Sequence, residues 1–202
     1  MNKRVVVTGI GAITPIGNNV EEFWKSIKEG KCGIDEITQF DTTEFKVKLA
    51  AEVKDFNPED YLDKKSAKRL DKFSQFAIIA SREALQDSGI TEENTDMERV
   101  GCIVSSGIGG LKTIEDQNRN LVEKGPDRVS PMYIPTGIVN MATGNVAIEL
   151  GLKGESFAMV TACASATHSI GEAFRMIRHG YQDAVVVGRN RSIDYSKWCS
   201  RF

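Results

Sequence analysis

The residues with the clearest chemical potential are four cysteines, Cys32, Cys102, Cys163 and Cys199, and two histidines, His168 and His179. No Cys-x-x-Cys pair occurs, which argues against a structural zinc site, and no metal is expected. The chemistry therefore falls to single thiols. Around Cys163 the chain reads Phe157-Ala-Met-Val-Thr-Ala-Cys-Ala-Ser-Ala-Thr-His168. A buried strand is expected to end near Thr161, Cys163 to sit at the corner, and a helix to begin within a residue or two. Ala164, Ser165 and Ala166 keep the first turn thin. A cysteine at a helix start meets unpaired N–H groups and the positive end of the helix dipole, and both favour thiolate over thiol. The same N–H groups can hold an oxyanion when a thiolate attacks a thioester. This is the setting of an acyl-transfer nucleophile. The plain alternative is a small buried hydrophobe, and Cys102, inside the apolar run Val100–Ser105, fits that description.

The histidines do not complete a dyad. His168 lies five residues beyond Cys163, about 500° around a helix, and so off the nucleophile's face. It reads as a packing or hydrogen-bonding residue. His179 falls at a helix C-terminus, where a cation suits the dipole. The Gly107-Ile-Gly-Gly110 run lacks the Gly-Lys-Ser/Thr of a phosphate loop. Gly9-Ile-Gly-Ala-Ile-Thr14 lacks the third glycine of a dinucleotide fingerprint, and Pro15 would interrupt its helix. Lys64, Lys65, Lys68, Arg69 and Lys72 cluster at a helix start. They form either a solvated face or a patch that steers an acidic partner.

The elements that position these residues alternate strand and helix. Arg4–Thr8 is a continuous β-branched run, as expected for a strand buried on both faces. Asn19 caps a helix running to about Glu29, with Gly30 at its end. Lys65–Ser88 is helical in pattern, with Leu70, Phe73, Phe76, Ala77, Ala80, Ala84 and Leu85 on one face and Gly89 as its stop. Val100–Ser105, Ser156–Val160 and Ala184–Val187 are further strands. Leu111–Lys124, Val139–Leu150 and Ala164–Arg178 are further helices, and residues 125–136, with three prolines, form a long loop. This order implies an α/β fold with a largely parallel sheet.

Composition agrees with that class. The chain has 202 residues, one domain or at most two small ones, with 41% hydrophobic residues but only 7% aromatic. The core must rest on Val, Ile, Leu and Ala. A net charge of −2 gives no basic excess for nucleic acid. Few cysteines in a chain of this size argue against a disulfide scaffold and for a reducing cytoplasm. The opening MNKRVVVTGIGAITPIG is too short and glycine-broken for a signal peptide, and no run approaches the roughly 18–20 apolar residues of a membrane span.

Thr161-Ala-Cys-Ala-Ser165 resembles the nucleophile motif of the thiolase-fold condensing enzymes. The similarity runs along the chain to Gly188. It includes Val5-Val-Val-Thr-Gly-Ile-Gly11, Thr14-Pro-Ile-Gly17, Ser105-Ser-Gly-Ile-Gly-Gly110, Pro135–Met141, Gly151-Leu-Lys-Gly154 and His168-Ser-Ile-Gly-Glu-Ala173. These segments are most similar to the elongating β-ketoacyl-acyl-carrier-protein synthases of type II. The resemblance implies a thiolase-like fold, five-layered α/β/α/β/α when complete, of which residues 1–188 are an incomplete N-terminal half. It implies that Cys163 accepts an acyl chain from an acyl carrier protein. A decarboxylative condensation with malonyl carrier protein then lengthens the chain by two carbons, with no cofactor. The decarboxylating histidine pair, its supporting lysine and a gating phenylalanine belong to the family's other half, so this chain alone is expected to be inactive in condensation. Ile108 is implied to set the depth of the acyl pocket. Lys65, Lys68 and Arg69 are implied to dock the carrier, with a second contact at Arg128. Asp127 departs there from the family's basic character. A cytoplasmic homodimer is implied, with neither nucleic acid nor membrane as a partner. The alternatives are a non-catalytic, chain-length-factor-like partner, which would lack the cysteine, and another thiolase-fold acyltransferase.

The tail from Arg189 to Phe202, RNRSIDYSKWCSRF, is polar and aperiodic and reads as frame-shifted. On one permitted choice of codons, a one-base shift from Asn190 spells Thr-Glu-Ala-Ser-Thr-Thr-Pro-Asn-Gly-Val-Ala-Gly, the kind of segment the family carries after this strand.

Overall fold

A computed structural model describes residues 3–190, so of the tail that begins at Arg189 only Arg189 and Asn190 are described, where they continue a strand, and residues 191–202, including Trp198, Cys199 and Phe202, lie outside the described residues. The centre is a parallel pair of strands, β3 (Val100–Ser106) and β4 (Ala184–Asn190), in register from Val100 opposite Ala184 to Ser106 opposite Asn190. A small antiparallel pair, β1 (Asp35–Glu36) and β2 (Leu49–Ala50), stands apart in the excursion before them. Seven helices complete the described chain: α1 (Val20–Lys28), α2 (Lys64–Arg69), α3 (Lys72–Ser88), α4 (Leu111–Lys124), α5 (Tyr133–Gly137), α6 (Met141–Glu149) and α7 (Ser165–His179).

Every residue of β3 is buried, because helices cover both of its faces. Val100, Cys102 and Val104 pack with Phe73, Ala77 and Ile78 of α3 and Ala142 and Val146 of α6. Ile103 points the other way, to Ala173 and Met176 of α7, with Phe157, Met159, Val185 and Val187 around them. The alternation follows the two-residue period of a strand. It agrees with the α/β expectation and with a core of aliphatic side chains.

The helix ends follow local chemistry. The Asn19 side chain accepts the Glu22 N–H at 2.8 Å at the start of α1. Gly89 and Gly180 close α3 and α7 in the left-handed conformation. The single helix expected over 65–88 is broken, however. Leu70 is extended, and Asp71 starts α3 as a new N-cap, accepting the Phe73 N–H at 3.3 Å. The break is stable because its loose carbonyls find a donor. The Gln75 amide donates to Ala67 O at 2.8 Å and to Leu70 O at 2.9 Å. Asp71 also accepts from the Thr113 N–H at 3.1 Å and the Thr113 hydroxyl at 2.7 Å, so the break is bolted to α4.

Two expected strands differ. Residues 4–8 form no strand among the described residues, and Val6 and Val7 are exposed. A β-branched run needs a ladder partner, and here the following residues lie on a helix instead. The Ile10 N–H donates to Asp87 at 3.0 Å and the Ala12 N–H to Glu83 at 2.9 Å. Gly9 and Gly11 permit that approach: a Cβ would stand 2.0 Å from Ala84 O at Gly9 and 1.8 Å from Ala80 O at Gly11. The expected strand at 156–160 is reduced to one parallel bridge between Ser156 and Cys102. Cys102 N–H donates to Glu155 O and Phe157 N–H to Cys102 O. Past that point a side chain replaces the ladder, as the Met159 N–H donates to the Ser105 hydroxyl at 3.0 Å. Within the expected long loop, Pro126–Arg128 forms a 3₁₀ turn and α5 a short helix. No helix among the described residues is long and apolar enough to cross a membrane.

Candidate active site

Cys163 lies in a 3₁₀ turn, Ala162–Ala164, that leads directly into α7. The corner and helix expected from sequence are present, although the segment before them is extended chain with one bridge and not a strand, and the thiol is exposed. Ala162, the residue before it, has φ of 49°. This left-handed conformation is unfavourable for a residue with a Cβ and costs on the order of 1–3 kcal/mol. Its neighbours hold it there. The Ser165 hydroxyl donates to Ala162 O at 2.8 Å and accepts the Thr161 N–H at 3.0 Å. Ser165 and Ser169, one turn later, are fully buried. The Ser169 hydroxyl donates to Ser165 O at 2.9 Å and lies 3.1 Å from the Ser105 hydroxyl on β3.

Cys102 contrasts with Cys163. It is fully buried in β3, and desolvation pushes its thiol up to about 12, against a smaller opposing effect of the Val104 backbone. It is a core thiol. Cys32 is exposed, with Ile34 O as its hydrogen-bond acceptor. His168 pairs with the Thr161 hydroxyl through Nδ1 at 2.8 Å, a hydrogen-bonding residue of the corner. His179 ends α7 and meets the edge of the Tyr181 ring.

Ile108 follows the C-terminal end of β3. Ser105, the penultimate residue of β3, contacts Met159 and Ser169, so the loop bearing Ile108 and the start of α7 lie at the same end of the strand pair, where open α/β folds bind ligands. Its loop is held in place. Gly109 N–H donates to the Ser106 hydroxyl at 3.0 Å, and Gly110 N–H to Gly137 O at 2.9 Å. Gly109 has φ of 85°, and a Cβ there would stand 2.4 Å from Gly137 O. Ile108 itself is half-buried.

Lys65, Lys68 and Arg69 are all exposed on α2. Lys65 and Arg69 line a cleft of about 460 Å³ together with Asp63 and the apolar Leu70, Met132, Pro135 and Met141, so the basic helix borders a largely apolar hollow. Arg128 is exposed on its own 3₁₀ turn and does not line that cleft. Among the described residues no group of three His, Cys, Asp or Glu side chains could hold a metal ion.

Sequence reasoning missed the buried serines and the left-handed Ala162. The four-residue spacing of Ser165 and Ser169 was the available signal, since it stacks two hydroxyls on one helix face.

The sequence pattern of the β-ketoacyl synthase N-terminal domain matches residues 2–199. A "3-oxoacyl-[acyl-carrier-protein] synthase 2" of Staphylococcus aureus (strain N315) is 50% identical over 187 residues, which are 93% of this chain and 45% of the relative. Its namesake in Synechocystis sp. is 47% identical, over 92% of this chain and 45% of the relative. The chain thus spans about half the length of these curated relatives. Among solved structures, the ishigamide ketosynthase/chain length factor superposes with a TM-score of 0.86 at 30% identity, over 96% of this chain and 48% of that one. A type II PKS ketosynthase in complex with its acyl-carrier protein gives 0.80 at 26% identity, over 99% of this chain and 54% of that one. A β-ketoacyl synthase from Burkholderia phymatum STM815 gives 0.75 at 27%, over 90% of this chain and 45% of that one.

Proposed function

The chain belongs to the β-ketoacyl synthase family and has its thiolase-like α/β fold, and from that premise we propose that Cys163 is the acyl acceptor of a 3-oxoacyl-[acyl-carrier-protein] synthase of fatty acid elongation. The observation that carries this reading is an exposed thiol, held by a strained residue at the start of a 15-residue helix, at the C-terminal end of parallel strands. The Cys163 thiolate attacks the carbonyl carbon of a carrier-bound thioester. A new carbon–sulfur bond forms, the old one breaks, and the carrier's thiol leaves with a proton. The oxyanion that forms between these events needs backbone donors beside Cys163. Malonyl carrier protein then loses carbon dioxide, and its carbanion attacks the carbonyl carbon of the Cys163 thioester; the new carbon–carbon bond forms, the carbon–sulfur bond to Cys163 breaks, and the Cys163 thiolate is released as the 3-oxoacyl chain stays on the carrier. Neither histidine of this chain serves the decarboxylation: His168 is engaged with Thr161, and His179 lies at the far end of α7.

Ile108 is proposed to border the acyl chain, since its pinned loop shares the sheet end with Cys163. Lys65, Lys68 and Arg69 are proposed to attract an acidic carrier protein, and Arg128 to add a second contact. The exposure of all four and the hollow beside Lys65 and Arg69 support that role. A cytoplasmic homodimer is the proposed working form. A chain-length-factor-like role is disfavoured, because such partners lack the nucleophile that Cys163 provides.

The test is incubation of the chain with an acyl-carrier-protein thioester, followed by mass spectrometry. An acyl adduct on Cys163, lost in Cys163→Ala, is the expected result. An adduct on Cys32 instead, or none under conditions that acylate a complete synthase, overturns the reading.

A further inference from the structure

We infer that three buried serines, Ser105, Ser169 and Ser165, form a directed hydrogen-bond relay that positions Cys163, with Ser169 as its central positioning residue. The inference rests on the reading of Cys163 as the nucleophile. All three side chains are fully buried, and burying a hydroxyl is costly unless it is bonded. An alanine would fill nearly the same space, so the hydroxyls must be explained by their bonds.

The bonds have one consistent direction. A hydroxyl has a single proton to donate. The Ser169 proton goes to the Ser165 carbonyl, so at the 3.1 Å contact Ser169 accepts and Ser105 donates. Ser105 in turn accepts the Met159 N–H. The chain therefore runs from Met159 N–H through Ser105 and Ser169 to Ser165 C=O. From there the Ser165 side chain takes over. It accepts the Thr161 N–H and donates to Ala162 O, closing a loop that contains Cys163. Each hydroxyl donates once and accepts at least once.

The relay ties the turn to the sheet. Ser105 belongs to the fully buried β3, which cannot shift without moving the core. Ser169 transfers that fixed point to the first turn of α7. Ser165 then holds both residues preceding Cys163, including Ala162 in its left-handed conformation. Without the relay, Ala162 is free to relax toward the ordinary right-handed or extended regions, which would turn Cys163 away from the helix start.

The test compares Ser169→Ala, Ser105→Ala and Ser169→Thr with the unsubstituted chain. The readout is the rate of iodoacetamide labelling at each cysteine, resolved by mass spectrometry. Threonine keeps a hydroxyl able to reach the carbonyl four residues back. Both alanine variants are expected to slow Cys163 by roughly fivefold to tenfold, the scale of one lost net hydrogen bond. Cys32 should be unchanged, and Ser169→Thr should recover most of the Cys163 rate. A merely structural role behaves differently: general loosening would bring buried Cys102 into the labelled set and would not slow an exposed thiol. Slowing at Cys163 without labelling of Cys102 supports the relay, whereas equal Cys163 rates in all four proteins, or slowing only alongside Cys102 labelling, overturn it. If Cys163 in the unsubstituted chain reacts no faster than Cys32, the nucleophile reading itself fails, and the inference falls with it.

Discussion

The close approach of the N-terminal segment to α3 can be tested by adding one methyl group. In Gly11→Ala the new Cβ would stand 1.8 Å from Ala80 O and 2.8 Å from Ala80 C. A carbon approaches a carbonyl oxygen comfortably at about 3.3 Å, so the segment must lift by about 1.5 Å. Helix backbone cannot give way without losing its own ladder, so the segment moves. The Ala12–Glu83 and Ile10–Asp87 bonds, now 2.9 and 3.0 Å, then stretch past hydrogen-bonding range. Overpacking costs about 1–3 kcal/mol. The Ile10–Asp87 bond is exposed and the Ala12–Glu83 bond half-buried, and together they add about 1 kcal/mol after screening. The expected loss is about 3 kcal/mol, a large share of the roughly 5–15 kcal/mol that holds a domain together. Gly171→Ala is the control. Gly171 lies within α7 with nothing near its missing Cβ, so alanine should stabilise by about 0.5–1 kcal/mol through helix propensity. Urea unfolding followed by circular dichroism measures both. A Gly11→Ala stability within about 0.5 kcal/mol of the unsubstituted chain, or a Gly171→Ala loss as large as that of Gly11→Ala, would exclude a steric clash specific to Gly11.

Three further outcomes are expected. Cys102, with its thiol pushed up to about 12, carries on the order of 10⁻⁴ thiolate at pH 8 and should label only after denaturation. Because that folded value is raised, its contribution to stability is complete below the ordinary thiol range near 9 and is lost as pH climbs toward 12, so the urea midpoint should fall across that window; a midpoint that rises there contradicts the burial argument. Ala162→Val should lower stability by about 2 kcal/mol, because a β-branched residue resists positive φ; Ala162→Gly should lose nothing and gain up to about 2 kcal/mol by the same unfolding assay, since glycine is unstrained in that region and returns only part of the relief as chain entropy. The triple variant Lys65→Glu, Lys68→Glu and Arg69→Glu, placed in a complete synthase, should weaken carrier-protein binding at low salt by at least tenfold. The difference should shrink as the screening length falls to about 8 Å at physiological ionic strength. Equal affinities by calorimetry at low salt would remove the docking role.

Much of the fold was legible because it follows local rules. β3 was an apolar run, α1 had its Asn19 cap, α4 ran from Leu111 to Lys124 as its pattern indicated, and Gly89 and Gly180 ended their helices. What was not legible depends on partners distant in sequence. Arg4–Thr8 has strand composition, but composition does not say which ladder it joins. The break at Leu70 is invisible to hydrophobic periodicity, since the apolar face continues through it, and it is set by Asp71 and Gln75 bonding across the junction. At the site, the corner at Cys163 was readable from a thin helix start, although the segment before it forms one bridge and no strand. The spacing of Ser165 and Ser169 stacks two hydroxyls on one helix face, but their partner Ser105 lies 64 residues from Ser169, and no local pattern names it.

Asp71 has a consequence for how sequences of this kind can drift. One carboxylate caps α3, receives Thr113 from the start of α4, and lies so near Gly110 that a Cβ there would stand 2.7 Å from its Oδ2. Positions 71, 110 and 113 are therefore a single heritable character. A change at any one spoils the fit of the other two, so viable lineages should alter them together or leave all three alone. The basic helix α2 hangs from one side of this junction and the loop bearing Ile108 leads into the other. The same coupling ties variation at the surface proposed to meet the carrier to variation at the wall proposed to meet the acyl chain.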